Sequence, residues 1–487
     1  MAHIRARQGW VGRAASGHGP TARREGIGEV KIIICGAGQV GRGIAERLAA
    51  EDNAVTVIDT SPELVRTISD ELDVQGIVGH GAHPDVLEQA GAEEADMIIA
   101  VTYTDEVNMM ACEVAHAIFN TPTKIARVRH QSYLEPRYQR LFSRENTAID
   151  TVISPEITVG EMVLRRLALP GAQEAVPFAG ERVIALGMQL DEDCPLLDTP
   201  LVQLADLFPD LKAVVVGIWR NGEVLIPHGD TEMQAGDFIF VIAERDNARR
   251  VLALFGHDDP PAENIIIAGG GNIGLFVAQK LEETSPGAHI RIIESNRERA
   301  ETIADMLRRS IVLHGSALDS EILREADVER ADVFIALTND DKVNLLSSLL
   351  ARREGAAHTM SLIATLKASP LAEPLGLDSW IDPRAATVSE ILRHVRQGRI
   401  RGVYPVFDGA AEIVEAKALE TSPLVGKTLK EAPIPEGIRI GAVVRGEEVL
   451  MATGDLEIRA GDTVVLLAAG QAAGEIQHLF RVSLEYF

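Results

Sequence analysis

Cysteine is scarce: Cys35, Cys112 and Cys194 are the only three in 487 residues, with no Cys-x-x-Cys pair and no histidine at metal-ligand spacing. That argues against a structural zinc site and fits a reducing, cytosolic setting. Long apolar runs are missing too. Stretches such as Ala213–Val216 and Thr463–Ala469 fall far below the roughly 18 residues that a membrane-spanning helix requires, so the chain is not expected to form a pore itself. Basic residues are outnumbered, 47 Lys and Arg against 72 Asp and Glu, for a formal charge of −25. Binding to phosphate backbones draws on clustered Lys and Arg, so nucleic acid is not an expected partner. The stretch 1–29 carries Arg5, Arg7, Arg13, Arg23, Arg24 and scattered Gly but no apolar segment, and no secretory signal is expected there. Two readings of positions 1–29 stay open: a disordered N-terminal arm, or translated sequence upstream of a natural start near Val30. The compact strand that opens at Val30 favours the second.

What is present suits a globular protein with several cores: 46% hydrophobic and 24% charged residues over two to four times a usual domain length of roughly 100 to 200 residues. An internal repeat organises it. Residues 95–102 read ADMIIAVT and residues 331–338 read ADVFIALT, 236 positions apart, and at the same offset Asp105 meets Asp341 and Asn108 meets Asn344. Residues 229–237, GDTEMQAGD, recur as GDLEIRAGD at 454–462, 225 positions on. A unit of about half the chain points to duplicated domains rather than to a solenoid.

Within each unit, short β-branched runs alternate with helical stretches. Strands are expected at Val30–Cys35, Ala54–Ile58, Gln75–Val78, Asp96–Val101 and Lys124–Val128, then at Asn264–Ala268, His289–Ile293, Ser310–Leu313, Asp332–Leu337 and Met360–Ala364. Alternation with helices implies right-handed crossovers and a parallel, doubly wound sheet, and the unbroken apolar composition suits strands buried on both faces. A Pro-initiated helix follows each sheet, from Ser154 and from Asp382. The predicted fold is therefore α/β, two tandem Rossmann-like domains at 30–152 and 262–382. Each is followed by a small α+β domain rich in Gly-Asp turns, at 172–256 and 402–486, and His257–Asn264 reads as the linker between the halves.

The strand Lys31–Cys35 runs into Gly36-Ala37-Gly38-Gln39-Val40-Gly41 with a helix following. Gly36 serves the tight turn, Gly38 close approach of the backbone to a pyrophosphate, and Gly41 close packing of helix on strand. Free N–H groups at the helix start would hold phosphates. Asp59 closes the second strand, after the helix that Gly41 opens, where its carboxylate can accept from both ribose hydroxyls. The second half repeats this as Gly269-Gly270-Gly271-Asn272-Ile273-Gly274, with Glu294 closing the strand after its helix. Duplication alone would preserve that shape without a ligand, so an occupied and an empty second site both stay open. An acid at Asp59 and Glu294 disfavours a 2′-phosphate, but separates NAD from neither ATP nor ADP.

With these residues in view, the chain resembles the TrkA family of Trk potassium uptake regulators, from Val30 almost to Phe487. The resemblance rests on IIICGAGQVG, HGAHPDVLEQAGAEEADM, AVTYTDE, NTPTKIARVR, GGGNIG, ALTNDD and IGAVVRG together. It implies two KTN or RCK-N nucleotide-binding domains, each joined to a TrkA-C (RCK-C) domain. It places ligand contacts for NAD(H), or ATP and ADP at the same sites, on Gly36, Ala37, Gly38, Gln39, Val40, Asp59, Thr102, Tyr103 and Arg127. In the second half they fall on Gly269, Gly270, Gly271, Asn272, Ile273, Glu294, Thr338 and Asn339. Arg127 could meet phosphates from a strand end, and His80 either borders the ribose or belongs to a structural turn. Around the place of Ala126-Arg127 the second half carries Ala364-Thr365-Leu366-Lys367, which departs from the phosphate clamp. The resemblance further implies a homo-oligomer, a tetrameric ring, on the cytoplasmic face of the inner membrane. There it would dock on a TrkH- or TrkG-type potassium channel subunit and gate it by nucleotide state.

An NAD-dependent oxidoreductase uses the same fold, but hydride transfer needs a proton donor or acceptor beside the nicotinamide, usually from a substrate domain. Only about 85 residues follow each Rossmann unit, and GDxExxAGD pairs no His or Lys for acid–base work. A non-enzymatic sensor is therefore expected, with a nucleotide-sensing regulator of another transporter as the remaining alternative.

Overall fold

The computed structural model describes residues 30–50, 53–143, 145–208, 210–364, 377–395 and 400–480. The expectations for positions 1–29 and for Thr365-Leu366-Lys367 lie outside them.

The first unit is a parallel six-stranded sheet of β1 (Lys31–Cys35), β2 (Ala54–Asp59), β3 (Gln75–Val78), β4 (Met97–Ala100), β5 (Thr123–Arg127) and β6 (Thr151–Ile153), in the order β3-β2-β1-β4-β5-β6. Ile32, Ile33, Ile34 and Cys35 are each at most 2% exposed, which is why the strand reads as an unbroken apolar run. The winding reverses between β1 and β4, so a crevice opens at the carboxyl ends of those two strands.

An antiparallel five-stranded sheet follows: β7 (Glu174–Phe178), β8 (Val183–Gln189), β9 (Ala213–Arg220), β10 (Glu223–Leu225) and β11 (Phe238–Glu244), ordered β10-β9-β11-β8-β7. The second half repeats the plan. Its parallel sheet is β14-β13-β12-β15-β16-β17, from β12 (Asn264–Ala268), β13 (His289–Glu294), β14 (Ile311–His314), β15 (Val333–Ala336), β16 (His358–Leu362) and β17 (Ser379–Ile381). Its antiparallel sheet is β18-β19-β22-β20-β21, from β18 (Ile400–Val406), β19 (Ala411–Lys417), β20 (Ile438–Arg445), β21 (Glu448–Met451) and β22 (Thr463–Ala469). The short strands β6 and β17 were not among the expected strands, because so few residues cannot show a period.

GDxExxAGD proves to be a turn lock. Asp237, 1% exposed, accepts from Arg220 Nε at 2.7 Å, Arg220 Nη2 at 2.6 Å and the Gln234 N–H at 2.8 Å. Asp462 repeats this with Arg445 at 3.0 and 2.8 Å and the Arg459 N–H at 2.8 Å. A buried carboxylate is tolerated because each oxygen is paired with the guanidinium fork.

The two halves are interleaved. Helix Pro155–Ala168, capped by Ser154, lays Val159 and Val163 into the core of the second parallel sheet and packs along helix Asn272–Thr284. At the crossing, a Cβ on Gly160 would come within 2.3 Å of Phe276. Helix Pro383–Val395 does the reciprocal, burying Ile391 and Leu392 in the core of the first sheet against helix Gln39–Ala49. Each glycine-turn helix is thus clamped by a helix of the opposite half. Half-buried Arg166 fastens one exchange, donating to Ser379 Oγ at 2.6 Å and to the Trp380 carbonyl. The antiparallel sheets share one core as well: Phe178, Val216, Phe240 and Ile242 meet Phe407, Ile413, Ala442 and Leu467. Gly217 and Gly441 allow that approach, since a Cβ would reach Leu467 at 2.8 Å and Ile242 at 2.5 Å respectively.

Candidate nucleotide-binding sites

In the first crevice Gly36 sits at φ +116°, a conformation open to glycine, and its N–H donates to the Ile58 carbonyl at 2.7 Å. A Cβ on Gly41 would lie 1.8 Å from the Gly36 carbonyl oxygen, so helix and turn touch backbone to backbone. Gly38 is different: a Cβ there meets nothing within 4 Å. It opens helix Gln39–Ala49 with no side-chain cap and no acid in the first turn, leaving backbone donors facing open space. Those donors and that open approach fit a phosphate group. Asp59 holds the turn from the side, accepting from the Ala37 N–H at 2.7 Å and the Ser61 N–H at 2.9 Å.

The opposite lip is built by β4 and β5. Thr102 donates its N–H and Oγ1 to Asn108 Oδ1, both at 2.7 Å, while Asn108 Nδ2 returns to the Thr102 carbonyl at 3.2 Å and the Arg127 carbonyl at 2.9 Å. Fully buried Asn108 thereby ties the ends of both strands together. Arg127 donates Nη2 to the Thr102 carbonyl at 2.7 Å, whereas its buried Nε has no partner. Burial and the neighbouring Arg129 press its pKa down, partly offset by Glu156 and Asp105. Tyr103 is 85% exposed, with the Arg129 guanidinium 5.4 Å above its ring. Arg129 Nε reaches Glu156 Oε1, 3.1 Å away on the exchanged helix. His80 keeps to its own turn, stacked on His83 with its Nδ1 3.4 Å from the Ala82 N–H.

The second crevice copies the frame. Gly269 has φ +108°, a Cβ on Gly274 would lie 2.0 Å from the Gly269 oxygen, and one on Gly271 meets nothing within 4 Å. Glu294 accepts from the Gly270 N–H at 2.8 Å and the Asn296 N–H at 2.7 Å. Asn272 and Ile273 begin the uncapped helix. Thr338 donates its N–H and Oγ1 to Asn344 at 2.9 and 2.7 Å, and Asn339 is exposed beside it.

The sequence-level register at β16 needs correction. Asn344 Nδ2 donates to the Leu362 carbonyl at 2.8 Å, and Ala336 pairs with Ser361 as Ala100 pairs with Ala126. Leu362, 6% exposed, therefore occupies the place of Arg127, ahead of Ala364 in the chain. At the position of Arg127 the second half therefore carries an apolar side chain. Three groups escaped the sequence reading as parts of the site: the Asn108 and Asn344 braces, visible only as a repeat; the Arg129–Glu156 pair, far apart in the chain; and Arg299, whose Nε donates to the Gly270 carbonyl at 2.8 Å.

Comparison with known proteins agrees with this architecture. The TrkA-N domain family matches residues 32–155 and 265–383, and the TrkA-C domain family matches residues 187–256 and 413–481. The Trk system potassium uptake protein TrkA of Azorhizobium caulinodans is 54% identical over 94% of this chain and all of its own. That of Halomonas elongata is 41% identical over 94% of this chain and its own full length. Among solved structures, the GsuK RCK domain superposes with a TM-score of 0.57 at 16% identity, covering 93% of this chain and 95% of its own. The GsuK channel bound to NAD does so with a TM-score of 0.58 at 16% identity, over 93% and 79%. These last two speak to the fold. The sequence relatives are named for potassium uptake and not for an enzymatic reaction, and among the described residues no helix is long and apolar enough to cross a membrane. By its domain matches and its full-length relatives, the chain belongs to the TrkA family of Trk-system potassium uptake proteins.

Proposed function

We propose that this chain is the nucleotide-sensing regulatory subunit of a Trk-type potassium uptake system. In this reading it assembles as a homotetramer on the cytoplasmic face of the inner membrane. There it binds a TrkH- or TrkG-type channel subunit and biases the pore between open and closed according to bound NAD(H), ATP or ADP. Site residues are those named above, Gly36 to Val40 with Asp59, Thr102, Tyr103 and Arg127, and their counterparts in the second half.

The observation that carries this reading is the reciprocal clamp on the two crevices. A ligand that draws the Gly36–Val40 turn, Asp59 and Arg127 together acts on helix Gln39–Ala49, which lies against Val388 of the other half. It also acts on Arg129 and so on Glu156, at the start of the helix that packs on Asn272–Thr284. Ligand state therefore sets the angle between the halves, and a ligand with different affinities for two angles shifts their populations. A coupling of about 1–3 kcal/mol corresponds to roughly 5- to 150-fold between ligand states.

Proteoliposomes carrying the purified chain and a TrkH-type subunit test this. Potassium flux should depend on which nucleotide is present, and Asp59→Ala should blunt the response while assembly persists. Identical flux with ATP, ADP, NADH, NAD and no nucleotide would refute gating.

A further inference from the structure

We propose that the two crevices are charge-reversed copies that read opposite ends of an adenine nucleotide. The first rewards negative charge beyond the pyrophosphate, through Arg127. The second grips the adenosine end, through Arg299. This rests on the nucleotide reading above and specifies it.

Matched positions carry the argument. The sheet order places β2 and β13 on one side of the glycine turns and the β4–β5 and β15–β16 pairs on the other. The ribose-facing acids Asp59 and Glu294 mark the first side as the adenosine side. The far side, where a third phosphate or a second nucleoside must extend, has Arg127 in the first crevice and buried Leu362 in the second.

On the adenosine side the exchange runs the other way. Ser61 and Asn296 cap equivalent helices, and the residues whose N–H groups they accept are Leu64 and Arg299. Leu64 is 41% exposed and apolar. Arg299 lies across the second turn, its Nε on the Gly270 carbonyl, and no other bond fixes its fork among the described residues. The turn itself is remodelled to fit. A Cβ on Gly270 would come within 2.3 Å of Ile303 and 3.2 Å of Glu294 Oε2, whereas the first turn accommodates Ala37. Glu294 and Arg299 thus hold both polar groups of one peptide residue, and the planar guanidinium is presented beside the ribose acid. There it can stack on a purine or donate to ribose oxygens. With buried Leu362 in the place of Arg127, the second crevice has less to gain from a third phosphate.

Single-site chains separate the two crevices. Gly38→Asp and Gly271→Asp each place a carboxylate where a Cβ meets no protein atom, so the fold is spared while phosphate is repelled. Calorimetric titration of Gly271→Asp with AMP, ADP and ATP should show ATP preferred over AMP by about tenfold or more, and Arg127→Leu should erase that preference. Titration of Gly38→Asp should give the three nucleotides affinities within about threefold of one another, and Arg299→Leu should weaken all three by a similar factor of about ten. Melting temperatures of the arginine variants report whether the fold survives, and Arg299→Lys, which keeps charge but loses the planar fork, should recover only part of the affinity. Equal ATP-to-AMP ratios at the two sites, or unchanged binding in folded Arg299→Leu, overturn this proposal and leave nucleotide sensing standing. Failure of the unsubstituted chain to bind any of the three overturns both.

Discussion

The same methyl group, added at two neighbouring glycines of one turn, should have opposite consequences. In Gly41→Ala the new Cβ stands 1.8 Å from the Gly36 oxygen, and such contacts essentially never fall below 3.0 Å, so helix and turn must move apart. The obstructing atom is backbone and the residue behind it, Val101, is buried, so no flexible side chain can give way. Overpacking of this kind costs about 3 kcal/mol, the upper end of its usual range. In a domain of this size that lowers the melting transition by roughly 10 °C. In Gly38→Ala the φ of −65° already suits alanine and the methyl meets nothing. Stability should hold within about 0.5 kcal/mol, helped by the smaller entropy of the unfolded chain. Yet in the proposed site the methyl would stand where a pyrophosphate approaches the helix start, and nucleotide affinity at the first site should fall by roughly tenfold. Scanning calorimetry with and without NADH, paired with titration, distinguishes the two. A Gly41→Ala chain that melts like the unsubstituted protein, or a Gly38→Ala chain that loses stability rather than affinity, would refute the assignment of packing to one glycine and ligand approach to the other.

Removing the turn lock by Asp237→Ala strands the Arg220 guanidinium and should destabilise the first antiparallel sheet by about 3 kcal/mol, measured by urea unfolding; Asp462→Ala should do the same in the second. Glu282 would be raised by its partial burial, but the N–H groups of Arg309 and Arg308 and the Ser310 hydroxyl and N–H hold its carboxyl down at about 2. A depressed carboxyl stabilises the fold above its unfolded value and loses that contribution on acidification, so stability should fall between about pH 4.5 and pH 2, and the fall should be shallower in Glu282→Gln. Burial pushes the Cys35 thiol up to about 12 and carries Cys112 further above the usual thiol range. Both should resist an alkylating reagent at mildly alkaline pH until the chain is denatured, as mass spectrometry would show.

Much of the frame was written locally. The runs at Lys31–Cys35 and Asn264–Ala268 announce strands buried on both faces, because such strands need no alternation. Gly36 and Gly269 announce turns that only a residue without a Cβ adopts readily, and Asp59 and Glu294 end the neighbouring strands at nearly fixed distances. Chain order alone therefore determined two tandem doubly wound sheets, their glycine turns and the acids beside them. What it left open depends on contacts distant in sequence. The exchange of helices Pro155–Ala168 and Pro383–Val395 between halves shows no period of its own, since an amphipathic helix records that it is covered and not by what. The common core of the antiparallel sheets depends on Phe407 meeting Phe240, which lies in the other half of the chain. The cations depended most on tertiary structure: sequence spacing set Ala364-Thr365-Leu366-Lys367 around the place of Ala126-Arg127, and only the register of β16 put Leu362 at the position of Arg127. Only the fold carried Arg299, just past its cap, back over Gly270. Side-chain chemistry fixed the glycine turns and their flanking acids, and the packing of distant segments decided which charged side chains, Arg127 and Arg299, stand beside each turn.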